Sequence, residues 1–164
     1  MKTGVFFGST TGNTQSVAED IAKHFNADVY NIGSVQPEIF QQYDFLIFGA
    51  STWGFGDLQD DWEEFLQKNK SFDLEGKTVS LFGLGDAASY PDTFVDGIGT
   101  IYEAIKNSGC KVIGGVSGSG YDFSGSTAFL DDSFIGLPVD EDGEHNLTQQ
   151  RIENWVALLK TELE

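Results

Sequence analysis

Positive charge is scarce in this sequence: 9 lysines and arginines stand against 26 aspartates and glutamates, for a formal net charge of −17. That balance repels phosphate backbones and anionic lipid headgroups, so it argues against nucleic acid and membrane surfaces and favours basic proteins as partners. Cysteine is nearly absent. Cys110 has no second cysteine with which to form an internal disulfide and no His or Cys at metal-ligand spacing, which fits a reducing compartment, the cytoplasm. Long apolar runs are missing as well. The longest, FLIFGA, falls far short of a membrane span, and Val5–Phe7 after Lys2 is too brief for a secretory signal. Core material is not lacking: 40% of the 164 residues are apolar and 13% aromatic, which is enough for one folded domain over residues 1–164 and excludes a disordered chain.

Short apolar runs alternate with amphipathic ones. Thr3–Gly8, Ala27–Ile32, Phe45–Ala50, Thr78–Gly83 and Lys111–Val116 read as strands, several of them apolar on both faces, as parallel strands covered by helices on both sides are. Helical spacing runs through Asn13–Phe25 (Val17, Ile21, Phe25), Leu58–Lys68 (Trp62, Phe65, Leu66), Thr93–Asn107 (Phe94, Ile98, Ile101, Ile105) and Thr148–Leu163 (Ile152, Trp155, Val156, Leu159). Pro37–Tyr43 adds a weaker turn. This order predicts an α/β fold, a three-layer α/β/α sandwich around a doubly wound, five-stranded parallel sheet with right-handed crossovers. Ser117–Val139 departs from the pattern, being rich in Gly, Ser and Asp yet carrying Tyr121, Phe123, Phe129 and Phe134. Aromatics at that density predict a packed insertion against the last strand, which resumes near Phe134–Val139, rather than a loose linker.

The first loop reads GSTTGNT, Gly8–Thr14, and falls where a helix N-terminus leaves backbone N–H groups unpaired. Its glycines permit close approach, the hydroxyls of Ser9, Thr10, Thr11 and Thr14 can donate, and the helix dipole favours an anion. The Gly-Lys-Ser/Thr ending of a nucleoside triphosphate loop is absent, so a phosphate held here keeps its charge. The alternative is a Ser/Thr-rich turn that merely caps the helix. In open α/β sheets ligands lie beyond the carboxyl ends of the strands, so the loops STWGFGDLQDDW (Ser51–Trp62) and GLGDAASYPD (Gly83–Asp92) should share any ligand with the first. Each sets an aromatic ring, Trp53 or Tyr90, among glycines. Either both rings fold back over the sheet edge, or a planar ligand lies between them.

Two competing readings are weaker. Gly83-Leu-Gly85-Asp-Ala-Ala88 formally satisfies the dinucleotide pattern, but Asp86 would face the pyrophosphate and Glu103 falls inside a helical stretch. A phospho-acceptor receiver needs acids after the first strand, and this loop has none. His24 in the first helix and His145 in a polar loop accompany no nucleophile, so no catalytic side chain and no metal site is assigned.

On these three loops the sequence resembles the flavodoxins, of the long-chain type, over essentially its whole length. The resemblance implies strand order 2-1-3-4-5 with an insertion in the fifth strand, about residues 117–139, and flavin mononucleotide (FMN) as cofactor. It implies that Ser9, Thr10, Thr11, Gly12, Asn13 and Thr14 hold the phosphate. Trp53 and Tyr90 would sandwich the ring system within the loops Ser51, Thr52, Gly54, Phe55, Gly56 and Gly83, Leu84, Gly85. Asp86 would meet the pyrimidine edge, and Asp140 would approach the ribityl chain. Ser51 stands where many members carry proline, Ala87 where many carry glutamine, and Asn13 where some carry lysine.

The implied function is a low-potential one-electron carrier, a binding protein and not an enzyme, cycling FMN between semiquinone and hydroquinone. At ~10 Å and an effective dielectric of roughly 20–40, each nearby carboxylate opposes a further negative charge on the flavin by about 1–2 kcal/mol, or roughly 35–70 mV. Gly54–Phe55 occupies the place where the backbone turns toward the flavin. Partners would be basic redox proteins, reductase-type donors and low-potential acceptors, meeting a monomer in transient complexes steered by the five acids of Gly56–Glu64. An FMN-dependent reductase using NAD(P)H and a flavin-sensing module are the alternatives. The reductase would need basic residues for a second nucleotide, and none cluster at these loops.

Overall fold

The computed structural model describes all residues from Met1 to Glu164. Strand β1 (Thr3–Gly8) is buried along its whole length and is the centre of the sheet, pairing in parallel with β2 (Asp28–Asn31) on one side and β3 (Phe45–Trp53) on the other. The end of β3 turns back on β4 (Asp57–Leu58), with Thr52 opposite Leu58 and Trp53 opposite Asp57. Beyond β3 lies β5 (Thr78–Leu84), again parallel.

The fifth position is filled twice. Strand β6 (Lys111–Val112) pairs with Thr78 and Val79 at one end of β5, and β10 (Leu137–Val139) pairs with Phe82–Leu84 at the other. The parallel strands therefore run β2-β1-β3-β5 and then β6 with β10, which, leaving the antiparallel β4 aside, is the expected order 2-1-3-4-5 with its fifth strand split by an insertion. One boundary differs from the expectation. Lys111–Val116 does not run as one strand, because Gly114 turns the chain at φ +90 and a Cβ there would stand 2.8 Å from the Leu159 side chain. The strand resumes at Leu137–Val139, within the Phe134–Val139 stretch expected for it. Between them β7 (Val116–Ser117), β8 (Phe129–Leu130) and β9 (Ser133–Phe134) form a small antiparallel sheet. Its aromatic residues pack on one another and on Phe94, with ring centroids of Phe123 and Phe134 4.9 Å apart and of Phe94 and Phe123 5.9 Å apart. The packed insertion read from its aromatics is therefore present.

Alternation along β1 divides the core. Val5 and Phe7 face α1 (Asn13–Phe25), which buries Val17, Ala18, Ile21 and Ala22. Phe6 faces the opposite layer, built by α2 (Asp60–Lys68) through Trp62 and Phe65 and by α3 (Asp96–Ile105) through Ile98, Ile101 and Ile105. After β10 come a short α4 (Glu141–Glu144) and α5 (Thr148–Glu162), whose Ile152, Trp155, Val156 and Leu159 join α1 on the first face. Pro37–Gln42 forms a 3-10 turn. Two helices begin later than their apolar spacing predicts. Leu58 is taken into β4 and Gln59 caps α2, while the chain enters α3 through Val95 in the left-handed region at φ 49. No helix is long and apolar enough to cross a membrane.

Candidate functional site

A cleft of about 340 Å³ opens at the carboxyl ends of β1, β3 and β5. Eleven of the residues expected at the site line it: Thr11, Asn13 and Thr14 from the first loop, Ser51, Thr52, Trp53 and Gly54 from the second, and Leu84, Gly85, Asp86 and Tyr90 from the third. Ser9, Thr10, Gly12, Phe55, Gly56, Gly83 and Asp140 stand outside its wall.

In the first loop Gly12 caps α1 at φ +94 with no side chain bonding the exposed N–H groups, and a Cβ on Gly12 would meet nothing within 4 Å. The helix N-terminus is thus open. Ser9 is turned inward, its hydroxyl accepting the Gly12 N–H at 3.0 Å. Thr10 accepts a longer bond, 3.4 Å, from the Gln59 side-chain amide. Gln59 is 2% exposed and also accepts the Asp61 and Trp62 N–H groups, so it joins the cap of α2 to the first loop. A Cβ at Gly8 would collide with this amide, which is why the strand ends on glycine there.

The second loop is the tight hairpin between β3 and β4, with Gly54 at φ +52 and Gly56 at φ +103, conformations that favour glycine. Trp53 remains 42% exposed, and its indole N–H donates to the Ser51 hydroxyl at 2.8 Å. Ser51 thereby orients the ring. Phe55, at the tip, is 88% exposed and lies edge-on to Tyr90 with ring centroids 5.7 Å apart.

The third loop is held from behind. Gly85 N–H donates to the Val139 carbonyl at 3.0 Å, Ala87 N–H to Asp140 Oδ2 at 3.2 Å, and Gly143 N–H to Asp140 Oδ1 at 2.8 Å. Asp140 is 2% exposed, and both of its oxygens are bonded to backbone. Asp140 thereby braces the third loop against the turn that follows β10. Gly83 lies under Ile98 and Val95 inside β5, where a Cβ would stand 3.0 Å from Ile98.

Glu141 and Asp142 line the cleft and were not anticipated. The available signal was their place immediately after the last strand, at the same sheet end as the other loops. With Asp86 they make the wall acidic, and it contains no lysine or arginine. Partial burial, followed by the charges of Asp86, Asp140 and Glu141, raises the Asp142 carboxyl above the ordinary aspartate value. A second cavity, of about 390 Å³, lies between the insertion and α5, away from the three loops.

A doubly wound α/β protein with an open helix N-terminus and two half-exposed rings around one cleft defines a class that binds a planar, phosphate-bearing ligand. Residues 5–155 match the family model for flavodoxins. The chain is 44% identical over 164 residues to a Nostoc flavodoxin, covering 98% of this chain and 96% of the relative. It is 41% identical to Escherichia coli flavodoxin 1, covering 98% and 94%. In structure it is similar to Fusobacterium nucleatum flavodoxin bound to flavin mononucleotide, with a TM-score of 0.91 at 31% identity over 99% of each chain. The chain belongs to the flavodoxin family.

Proposed function

We propose that this protein is a one-electron carrier that binds FMN non-covalently in the cleft and passes electrons between redox enzymes. The observation that carries this is the open helix N-terminus at Gly12 facing a cleft between Trp53 and Tyr90, two rings left 42% and 39% exposed. The residues fit the cofactor. A volume of about 340 Å³ lies within the range of small-molecule sites, the two rings suit a flat heterocycle, and neutral donors suit a phosphate that no cation accompanies. FMN, when bound, supplies the capacity to take up and release single electrons.

The remaining contribution is the chain's own. Backbone N–H groups of α1, with the Thr11 and Thr14 hydroxyls, hold the phosphate, and Ser51 fixes the face that Trp53 presents. Asp86, Glu141 and Asp142 keep the wall negative, which disfavours added electron density and lowers the potential. Gly54 at φ +52 lets the hairpin backbone turn toward the cofactor without strain. Ser9, Thr10 and Asp140 act by shaping the loops.

The chain is proposed to form one domain of the long-chain type, on the strength of its split fifth strand, and to work as a cytoplasmic monomer. Its partners are basic redox proteins, reductase-type donors and low-potential acceptors. Phe55 at the hairpin tip supplies apolar contact beside the exposed acids Asp57, Asp60 and Glu63.

The test is anaerobic dithionite titration of the FMN-loaded protein, followed by visible absorbance. Two resolved one-electron steps, the second at low potential, are expected. Direct two-electron bleaching together with steady-state NADPH oxidation would identify a reductase instead, and failure to retain FMN would remove the functional reading.

A further inference from the structure

The first turn of α3, Asp96-Gly97-Ile98-Gly99, touches both the Trp53 hairpin and the insertion. On the hairpin side, Gly97 N–H donates to the Thr52 hydroxyl at 2.8 Å, and a Cβ at Gly97 would stand 3.0 Å from the Ser51 carbonyl oxygen. On the insertion side, Thr127 N–H donates to Asp96 Oδ1 at 2.8 Å, and the Thr127 hydroxyl donates to the Asp96 carbonyl oxygen at 3.3 Å. A Cβ at Gly99 would collide with that same threonine. The two glycines thus let the turn approach both neighbours more closely than any other residue would allow.

Asp96 belongs to both contacts. It is 9% exposed; one carboxylate oxygen accepts from the insertion, and the other lies 2.9 Å from the place a Cβ on Gly56 would occupy. Gly56 is the residue at φ +103 that closes the hairpin. The preceding Val95 is fully buried at φ 49, an uncommon conformation for a β-branched residue, which persists only where its surroundings over-determine it. The carboxylate is therefore held at a backbone position defined from both sides.

We propose that Asp96 is a positioning residue of the cofactor site: anchored by the Thr127 N–H of the insertion, its carboxylate fixes the backbone at Gly56 and so the hairpin that presents Trp53. The proposal rests on the reading of the cleft as an FMN site. An acid in the first helical turn also favours the helix dipole, but that role needs only charge and is lost equally in Asn and Ala. Positioning needs the oxygen that accepts from Thr127, which Asn keeps and Ala lacks.

The experiment compares wild type, Asp96→Asn and Asp96→Ala by backbone hydrogen exchange over Trp53–Leu58 in the FMN-free protein and by FMN fluorescence titration. In Asp96→Ala, exchange in the hairpin rises and the FMN dissociation constant increases about tenfold, as expected when the buried Thr127 N–H is left without an acceptor, while Asp96→Asn, which keeps that acceptor, stays near wild type in both. Wild-type exchange and affinity in Asp96→Ala, or an Asn variant that loses as much as Ala, overturns the proposal. If Asp96→Ala does not fold, Asp96→Ser, whose shorter side chain withdraws the oxygen facing Gly56, takes its place with the same expectation. Wild-type protein that fails to bind FMN removes the functional reading, whereas hairpin exchange still reports on Asp96.

Discussion

Ser51 illustrates how a small polar residue controls a large ring. Its hydroxyl accepts the Trp53 indole N–H at 2.8 Å, so the ring is oriented before any ligand arrives. Ser51→Ala leaves the ring packed on one side but free to turn. Because a net hydrogen bond contributes about 1 kcal/mol, FMN affinity measured by fluorescence titration should fall about fivefold with little change in thermal midpoint. A wild-type dissociation constant would show that the bond does not order the ring. Trp53 and Tyr90 were legible in the sequence because an aromatic ring among glycines has no obvious place in a core. Asp140 was legible only as a position. One of its oxygens makes a local N-cap bond with the Gly143 N–H, but the other is turned to the N–H of Ala87, distant in sequence, and no local pattern carries that second contact. Gln59 left no signal for the same reason, since an isolated buried amide has neither period nor charge.

Among the elements, periodicity located every long strand and helix, and it failed where pairing partners rather than spacing decide an end. β3 runs on to Trp53 because β4 folds back against it, and two-residue strands have too few residues to alternate. The split of the fifth strand was legible as a dense aromatic segment, but its boundaries depend on Gly114, where a tight approach to α5 turns the chain. The start of α2 shows the energetic side. Gln59 accepts two of its orphan N–H groups and reaches Thr10, so one side chain serves both the helix and the phosphate loop. Gln59→Ala should cost about 0.5–2 kcal/mol, the range for loss of an N-cap, read as a lower urea midpoint with an unchanged slope. Weaker binding of inorganic phosphate by the FMN-free protein should accompany it. Loss of stability without any effect on phosphate would confine the residue to the helix.

At the scale of the whole molecule, charge is distributed so that function and fold share it. Asp60, Asp61 and Glu63 lie in the first turn of α2, where the helix dipole favours acids, and Glu64 is paired with Lys68 at 2.7 Å, which lowers its carboxyl below the usual range. The cluster therefore supports its own helix while presenting a negative face beside the cleft. Electron transfer to a basic partner, measured by stopped flow, should slow steeply as sodium chloride is raised, with the change in association and not in the bound complex. A rate indifferent to salt would mean that apolar contact at Phe55 governs docking. The split fifth strand has a consequence of another kind. A sheet edge is a template for recruiting another chain, and its hazard grows with the length of unbroken backbone it offers. Here one edge consists of β6 and β10, two and three residues long and interrupted by the insertion, and the other is the four residues of β2. Protection against fibrillar self-assembly is thus written into the geometry of the backbone, and it does not depend on the repulsion between like-charged copies, which fades in brine.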